Sequence, residues 1–400
     1  MEKIKNINFC VQASSVSWSG SKELAMNEVS GKPALYWTIK KIFDNFENPR
    51  VVIIAPEFDR NGKLKKILED FKDQVEYFFG FDESPLDRLI SSNAKLLDDE
   101  YIVRIDGLNF GFDPKAVKNM LESASKSKVD IIKFPDDYCI QLTFEVYRIG
   151  ALKKVRTMLG KKDDIYKVHP KYYMFLKKND FASKYLTSIP EYSNQALKAL
   201  RKQYEFVFEI RQGAKNKRIA AGDMLNFHYE FALKYIKKNM KVLDIASGEG
   251  YGSAILASKA QDVTGADLDQ PTIAKARKLH KSSNLNFVAT SALKTGFEES
   301  CFDLITSFET IEHIEGDVKY LEEMKRILKP GGRLILSTPQ NSLGHIPMNN
   351  QHKREYSLSE LISLVQKTFK IEEVIGIKQV RIIFENDPVG TNTILVCRKI

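Results

Sequence analysis

Residues 241–252 read KVLDIASGEGYG, and this stretch decides the fold of the chain's second half. Val242 to Ala246 are apolar except for Asp244, the pattern of a strand buried in a sheet. A turn with Gly248 and Gly250 follows, and then a helix begins. Glycine at such a turn lets a ligand approach bare backbone, and the first turn of a helix supplies N–H groups without partners. A dinucleotide fingerprint of the form GxGxxG would need glycine at position 253; that position is Ser253, and glycine stands at 252. Asp244, just before the glycines, suits a ligand with a positively charged amino-acid end and would repel a pyrophosphate. One strand–helix–strand step later, VTGAD (263–267) ends in Asp267. A carboxylate at that strand end is placed to accept hydrogen bonds from two ribose hydroxyls. The next helix has its own cap in Asp269, ahead of Gln270 and Pro271.

The same alternation extends outward from this segment. Helix 227–236 precedes strand 240–246. Helix 252–259, strand 261–266, helix 271–281 and strand 285–289 follow it. Then come strand 302–307, helix 317–328, strand 333–338, helix 357–369 and two late strands near 371–378 and 391–398. The first half repeats the theme, with strands over 4–13, 50–55, 101–105 and 129–134. Its helices cover 33–46 and 62–71, and a third starts at Pro114 with Asp113 as cap. Strands alternating with helices predict an α/β fold with mainly parallel sheets in both halves. The expected organisation is an N-terminal α/β domain over 1–200, a linker over 201–224 and a Rossmann-like C-terminal domain over 225–400. Charge, Gly213 and Gly222 interrupt the periodicity in the linker.

Composition sets outer limits. A chain of 400 residues exceeds one ordinary core. Its 43% hydrophobic and 28% charged residues are those of a globular protein. The N-terminus lacks the apolar core of a signal peptide. The most apolar short run, Val51 to Ala55, is far shorter than the roughly 20 residues that span a bilayer. No membrane span is expected. The four cysteines show no CxxC pair, which fits a reducing cytoplasm, and the six scattered histidines predict no metal site. The net charge of +9 is concentrated in residues 151–250, with 21 Lys and Arg against 10 Asp and Glu. That excess reads as solvated helix faces, because no basic run interleaved with stacking aromatics appears. Nucleic acid is therefore not the expected partner. Homo-oligomerisation is left open.

Against known families, VLDIASGEGYGS (242–253) resembles motif I of class I S-adenosylmethionine-dependent methyltransferases. TGADLD (264–269) resembles the acidic motif that follows it. FVATSA (287–292) is similar to the segment that recognises adenine, with Ser291 where that family usually has Asp. CFDLITSFETIEH (301–313) resembles the fourth strand with its FExxEH ending, and LKPGGRLILSTP (328–339) the turn and fifth strand. The resemblance implies S-adenosylmethionine as cofactor. It would be held by Asp244, Ala246, Gly248, Gly250, Asp267, Leu268, Ser291, Ala292 and Phe308. NFHYEFA (226–232) and QHKREYSL (351–358) resemble a bacterial subgroup whose members accompany glycan-assembly proteins. That likeness implies a sugar, sugar nucleotide or glycan as acceptor, in polysaccharide biosynthesis, and has His228 and Tyr229 covering the cofactor. A core stripe of Tyr229, Phe231 and Ala232 is the alternative reading.

A hydroxyl acceptor needs a base, because its own pKa lies far above neutrality. His313, His345, His352, Glu312 and Glu355 are the candidates, and His313, His352 and Glu312 form the expected catalytic set. Glu312 and His313 follow strand four. His345 and His352 fall in the long loop after strand five, where α/β sheets build substrate sites. Each also has a structural role available, at a helix start or on loop backbone.

In the first half, a Ser/Gly-rich loop (Ser14 to Ser21) follows strand one, and Lys22 and Lys32 stand where phosphates could be wrapped. Val11 to Ala13, Ser19 to Lys22 and Ser30 to Pro33 resemble the nucleotide loop of cytidylyltransferases of polysaccharide synthesis, the spore-coat type. Asp82 to Arg88, Val103 to Pro114 and Leu142 to Tyr147 are similar to later segments of that family. The family's first loop is arginine-rich, yet no arginine occurs here between Gln12 and Lys32. Its two metal-binding aspartates align with Leu108 and Thr143, and Asp106 is shifted from the first. The expectation is a nucleotidyltransferase-like (cytidylyltransferase or glycosyltransferase-A-like) domain without nucleotidyl transfer. Two rivals stand beside the carbohydrate reading. One is an RNA or small-molecule methyltransferase, the other a non-catalytic scaffold.

Overall fold

The computed structural model describes residues 6–16, 24–160, 163–213, 224–343, 347, 349–378 and 382–400. The chain divides into two compact units, Met1–Val207 and Phe208–Ile400.

Among the described residues, the main sheet of the first unit has seven strands: β1 (Asn8–Gln12), β2 (Arg50–Ala55), β3 (Val75–Phe79), β4 (Tyr101–Asp106), β5 (Ile131–Lys133), β6 (Phe144–Arg148) and β7 (Ser183–Tyr185). They lie in the order β3-β2-β1-β4-β6-β5-β7. All neighbours are parallel except β6, which runs antiparallel to β4 and β5. The helix Pro114–Ser127 starts as expected, with Asp113 accepting the Lys115 N–H at 2.9 Å. The helix expected over 62–71 is instead a single turn, Lys63–Ile67, between two 3₁₀ turns. Gly62, with φ +88°, separates the first pair.

Residues 201–213 of the expected linker belong to a long helix, Asn194–Gly213. Leu197, Tyr204 and Val207 are buried at helical spacing, and Tyr204 anchors the helix to the first unit. Its ring stacks on Phe110 at 4.3 Å, and its hydroxyl accepts the Gly111 N–H at 2.8 Å. The surrounding charge hid that apolar stripe.

The second unit holds β8 (Lys241–Ile245), β9 (Asp262–Asp267), β10 (Leu285–Ala289), β11 (Phe302–Phe308), β12 (Leu328–Pro339), β13 (Lys370–Ile377) and β14 (Asn392–Arg398). Their order is β10-β9-β8-β11-β12-β14-β13. The first five are parallel, and β14 is antiparallel to both its neighbours. The turn expected at 328–332 lies inside β12 as a bulge. Phe302 pairs with Leu328 but Leu304 with Arg333, and Gly331 takes φ +74°.

Strict alternation along the central strands covers both faces of this sheet. Leu243, Ile305, Leu334 and Leu336 pack under helices Asp317–Ile327 and Leu358–Val365. Val242, Leu304, Ile335 and Ile394 face Tyr229, Phe231 and Leu256 on the other side. Strand order reverses between β8 and β11, so their carboxyl ends open a crevice where ligands of such sheets bind. Among the described residues, no helix is long and apolar enough to cross a membrane.

Candidate active site

The chain leaves β8 through a strained turn. Ala246 has φ +58°, followed by Gly248 at +53° and Gly250 at +82°. A Cβ on Gly248 would meet nothing within 4 Å, so this glycine faces open space. A Cβ on Gly250 would fall 2.4 Å from the Phe287 ring. One glycine of the pair faces open space and the other serves packing.

Asp267 closes the turn from β9. One carboxylate oxygen accepts the Gly248 N–H at 2.9 Å and the other the Asp269 N–H at 3.0 Å. A carboxylate offers about four lone-pair sites, so acceptor capacity remains for hydroxyl donors. The neighbouring Leu268 is 76% exposed, an apolar side chain with no core to fill. Asp269 caps the next helix, accepting the Thr272 N–H at 2.9 Å. Ser291 follows β10, and its hydroxyl accepts the Leu293 N–H at 3.2 Å; Ala292 packs at the edge of the core.

Asp244 does not face open space. It is fully buried, and three hydroxyls donate to it: Ser253 at 2.6 Å, Thr306 at 2.9 Å and Tyr229 at 3.2 Å. Burial pushes its carboxyl up to about 6, against the pull of those hydrogen bonds. Its donors come from the helix after the glycine turn, from β11 and from the helix before β8, so this carboxylate ties together the elements around the turn. Ser253 and Thr306 were not among the expected site residues. Only their common partner makes them visible.

Phe308 ends β11, buried against His228 at 5.3 Å and Tyr229 at 4.9 Å between ring centroids. His228 is fully buried, and burial lowers its pKa, opposed by Glu309 and Asn392. Tyr229 thus belongs to the core and also touches the site, through Phe308 and Asp244.

Past β11 the expected catalytic residues come together. Glu312 is fully buried, and Thr338 donates to its Oε2 at 2.8 Å. Burial first, then Glu309 and Glu355, hold its carboxyl well above the usual range. The Glu312 carbonyl accepts the Lys353 N–H at 2.7 Å, pinning the loop after β12 beside it. That loop delivers His352, whose ring lies 4.8 Å from the ring of His313 at 88°. His352 Nδ1 is 2.6 Å from Glu355 Oε1, and Asn341 donates to the other Glu355 oxygen at 2.7 Å. His345 lies outside the described residues, as do Ser19 to Lys22 of the first unit.

Comparison with known proteins bears on the second unit. Residues 236–387 match the family described as "Methyltransferase domain". The "Probable S-adenosylmethionine-dependent methyltransferase" of Mycolicibacterium smegmatis is 31% identical over 141 residues, covering 34% of this chain and 54% of that protein. Tocopherol O-methyltransferase of Arabidopsis thaliana is 36% identical over 107 residues, 26% of this chain and 31% of that one. Demethylmenaquinone methyltransferase of Beutenbergia cavernae is 35% identical over 102 residues, 25% of this chain and 42% of that one. The chain spans about half the length, or less, of these curated relatives. The second unit of this chain carries a class I S-adenosylmethionine-dependent methyltransferase domain.

Proposed function

We propose that the second unit transfers a methyl group from S-adenosylmethionine to an oxygen of a sugar, sugar nucleotide or glycan. The observation that carries the transferase reading is the union of Asp267 with the glycine turn. A carboxylate fixed by two backbone N–H groups stands beside an exposed leucine and an open glycine. In this reading Asp267 accepts the ribose hydroxyls, Leu268 meets the adenine face, and Gly248 admits the amino-acid end to bare backbone. Ala246, Ser291, Ala292 and Phe308 complete the walls. Asp244 acts from beneath the turn, through the groups it holds. When bound, S-adenosylmethionine supplies a methyl group activated by a sulfonium. Glu312, His313 and His352 then meet the acceptor oxygen beyond β11, and orientation there supplies roughly 7–11 kcal/mol in favourable cases.

The carbohydrate acceptor is supported by the likeness at 226–232 and 351–358 and by the company of the first unit. There the reading is a nucleotidyltransferase-like domain without transfer activity, in a cytoplasmic protein. By the resemblance, Leu108 and Thr143 align with that family's two metal-binding aspartates. Arg104 and Lys171 neutralise the buried Glu145 between them, at 3.2 and 2.6 Å. Among the described residues of the first loop, Asp59 accepts from Ser14 Oγ at 2.8 Å and from the Ser15 N–H and hydroxyl. A quinone or tocopherol-type acceptor is the second reading, favoured by the names of two relatives.

The test is incubation of the purified protein with methyl-labelled S-adenosylmethionine and a soluble-plus-glycolipid extract of its source cell. Label in sugars or glycans, absent with Asp267→Ala, is the expected result. Label in quinones would replace the acceptor, and no transfer with cofactor bound would favour a scaffold.

A further inference from the structure

The buried carboxyl group of Glu312 has one oxygen answered and one not. Thr338 donates to Oε2, whereas Oε1 has no hydrogen-bond partner among the described residues. Leaving a buried polar group unmatched costs about 1–3 kcal/mol, and more for a charged one, so such an atom calls for a ligand. Two imidazoles stand near this carboxyl group. One ligand-capable atom from each of Glu312, His313 and His352 lies within 4.8 Å of the others.

Their neighbours fix the tautomers. His313 Nδ1 is 3.2 Å from the Gln351 carbonyl oxygen, and His352 Nδ1 is 2.6 Å from the Glu355 carboxylate. A carbonyl and a carboxylate only accept, so each Nδ1 carries a proton, and each ring in its neutral form has its lone pair on Nε2. The Asn349 amide donates to His352 Nε2 at 2.8 Å. A carboxylate behind the far nitrogen is the arrangement that orients a metal-binding imidazole, and Asn341 in turn holds Glu355.

We propose that Glu312, His313 and His352 form a binding site for a divalent transition-metal cation whose remaining positions take acceptor oxygens. The Asn349 amide yields His352 Nε2 to the ion. Two imidazoles and one carboxylate suit zinc, iron(II), manganese(II) or cobalt(II), and leave positions open. Magnesium, which favours oxygen ligands, fits this set less well. The role deepens the transferase reading above and rests on it. A hydroxyl bound to the ion loses its proton to solvent near neutrality. Its oxygen then bonds the methyl carbon while the sulfur–methyl bond breaks, the electron pair staying on sulfur as a neutral thioether. The two histidines act in this scheme as ligands and not as bases.

The test is calorimetric titration of the full chain, stripped with a chelator, with zinc, manganese(II) and cobalt(II) chlorides. S-adenosylmethionine is titrated in a parallel cell. One cation per chain is expected, with binding lost in His352→Ala and Glu312→Gln. Glu355→Gln should weaken it about 10- to 100-fold. Glu312→Gln keeps an acceptor for Thr338, and its thermal midpoint and cofactor binding check that it folds. Cobalt(II) absorption bands that vanish in His313→Ala would identify imidazole ligation. Absence of stoichiometric binding for all three cations overturns the proposal, as does binding that survives in the His313→Ala/His352→Ala double variant. The parallel cell reports cofactor binding by itself, and the label-transfer assay above reports the transferase reading, so the two failures are distinguishable.

Discussion

Tyr229 packs against the bare backbone of Gly252, where an added Cβ would fall 1.9 Å from the ring carbon Cζ. The ring has little room to withdraw. It is buried between Phe308 and Tyr251, and its hydroxyl is bonded to Asp244. Gly252→Ala should therefore destabilise the second unit by about 1–3 kcal/mol, the range of overpacked cores. Adding Tyr229→Ala should relieve the clash, so the double variant loses less than the sum of the two single ones. Denaturant unfolding of the four proteins measures this. An unchanged midpoint for Gly252→Ala would mean that the helix start accommodates a side chain.

Asp267 has a different task, because both of its oxygens already serve the backbone and still have capacity to spare. In the proposed role, Asp267→Ala removes the acceptor for two ribose hydroxyls, and it releases the Gly248 N–H. Hydrogen bonds to a charged group are worth about 1.5–3 kcal/mol, so cofactor affinity should fall roughly tenfold to hundredfold. Titration with S-adenosylmethionine measures it. Equal affinity in the variant would remove Asp267 from the cofactor site.

These two residues also mark what was legible beforehand. The glycine turn, Asp267 and the restart of the alternation could be read because they are local: a strand, a turn and a helix within about thirty residues. β3 and β7 carry no such signal, because short strands in mixed surroundings have no distinctive period. The partners of Asp244 come from three separate elements, and nothing in their spacing announces it. The same holds for His313 and His352, which looked scattered. They meet only because the loop after β12 folds back onto the Glu312 carbonyl. Contacts made by long-range folding leave no periodic trace in the chain.

The burial of Asp244 has a consequence for pH. Its carboxyl moves from 3.8 to about 6 on folding, so the folded state holds the proton more tightly. Its contribution is most favourable below 3.8 and is withdrawn as pH rises through about 6, a difference of about 3 kcal/mol. Asp244→Asn removes this titration. Without cofactor, the stability of the variant relative to the natural protein should rise between pH 4 and 6 and then level off. Unfolding curves at several pH values test the sign. A difference that does not change with pH would show that the carboxyl ionises freely in the folded protein.

Asp59 gives a test of the proposal that the first unit performs no nucleotidyl transfer. A loop after the first strand of an α/β sheet can bind phosphate by offering backbone N–H groups and hydroxyls. Here the Ser15 N–H and the hydroxyls of Ser14 and Ser15 already donate to a fully buried carboxylate of the chain itself. A phosphate would have to displace that carboxylate and sit beside its charge. The protein with CTP, magnesium and any sugar acid should therefore release no pyrophosphate. Asp59→Ala, which leaves the buried Ser15 N–H without its acceptor, should lower the stability of the first unit by about 1–3 kcal/mol. S-adenosylmethionine affinity should stay as it was. Pyrophosphate release by the natural protein, in a standard coupled assay, would show that the loop opens and that the first unit is an enzyme in its own right.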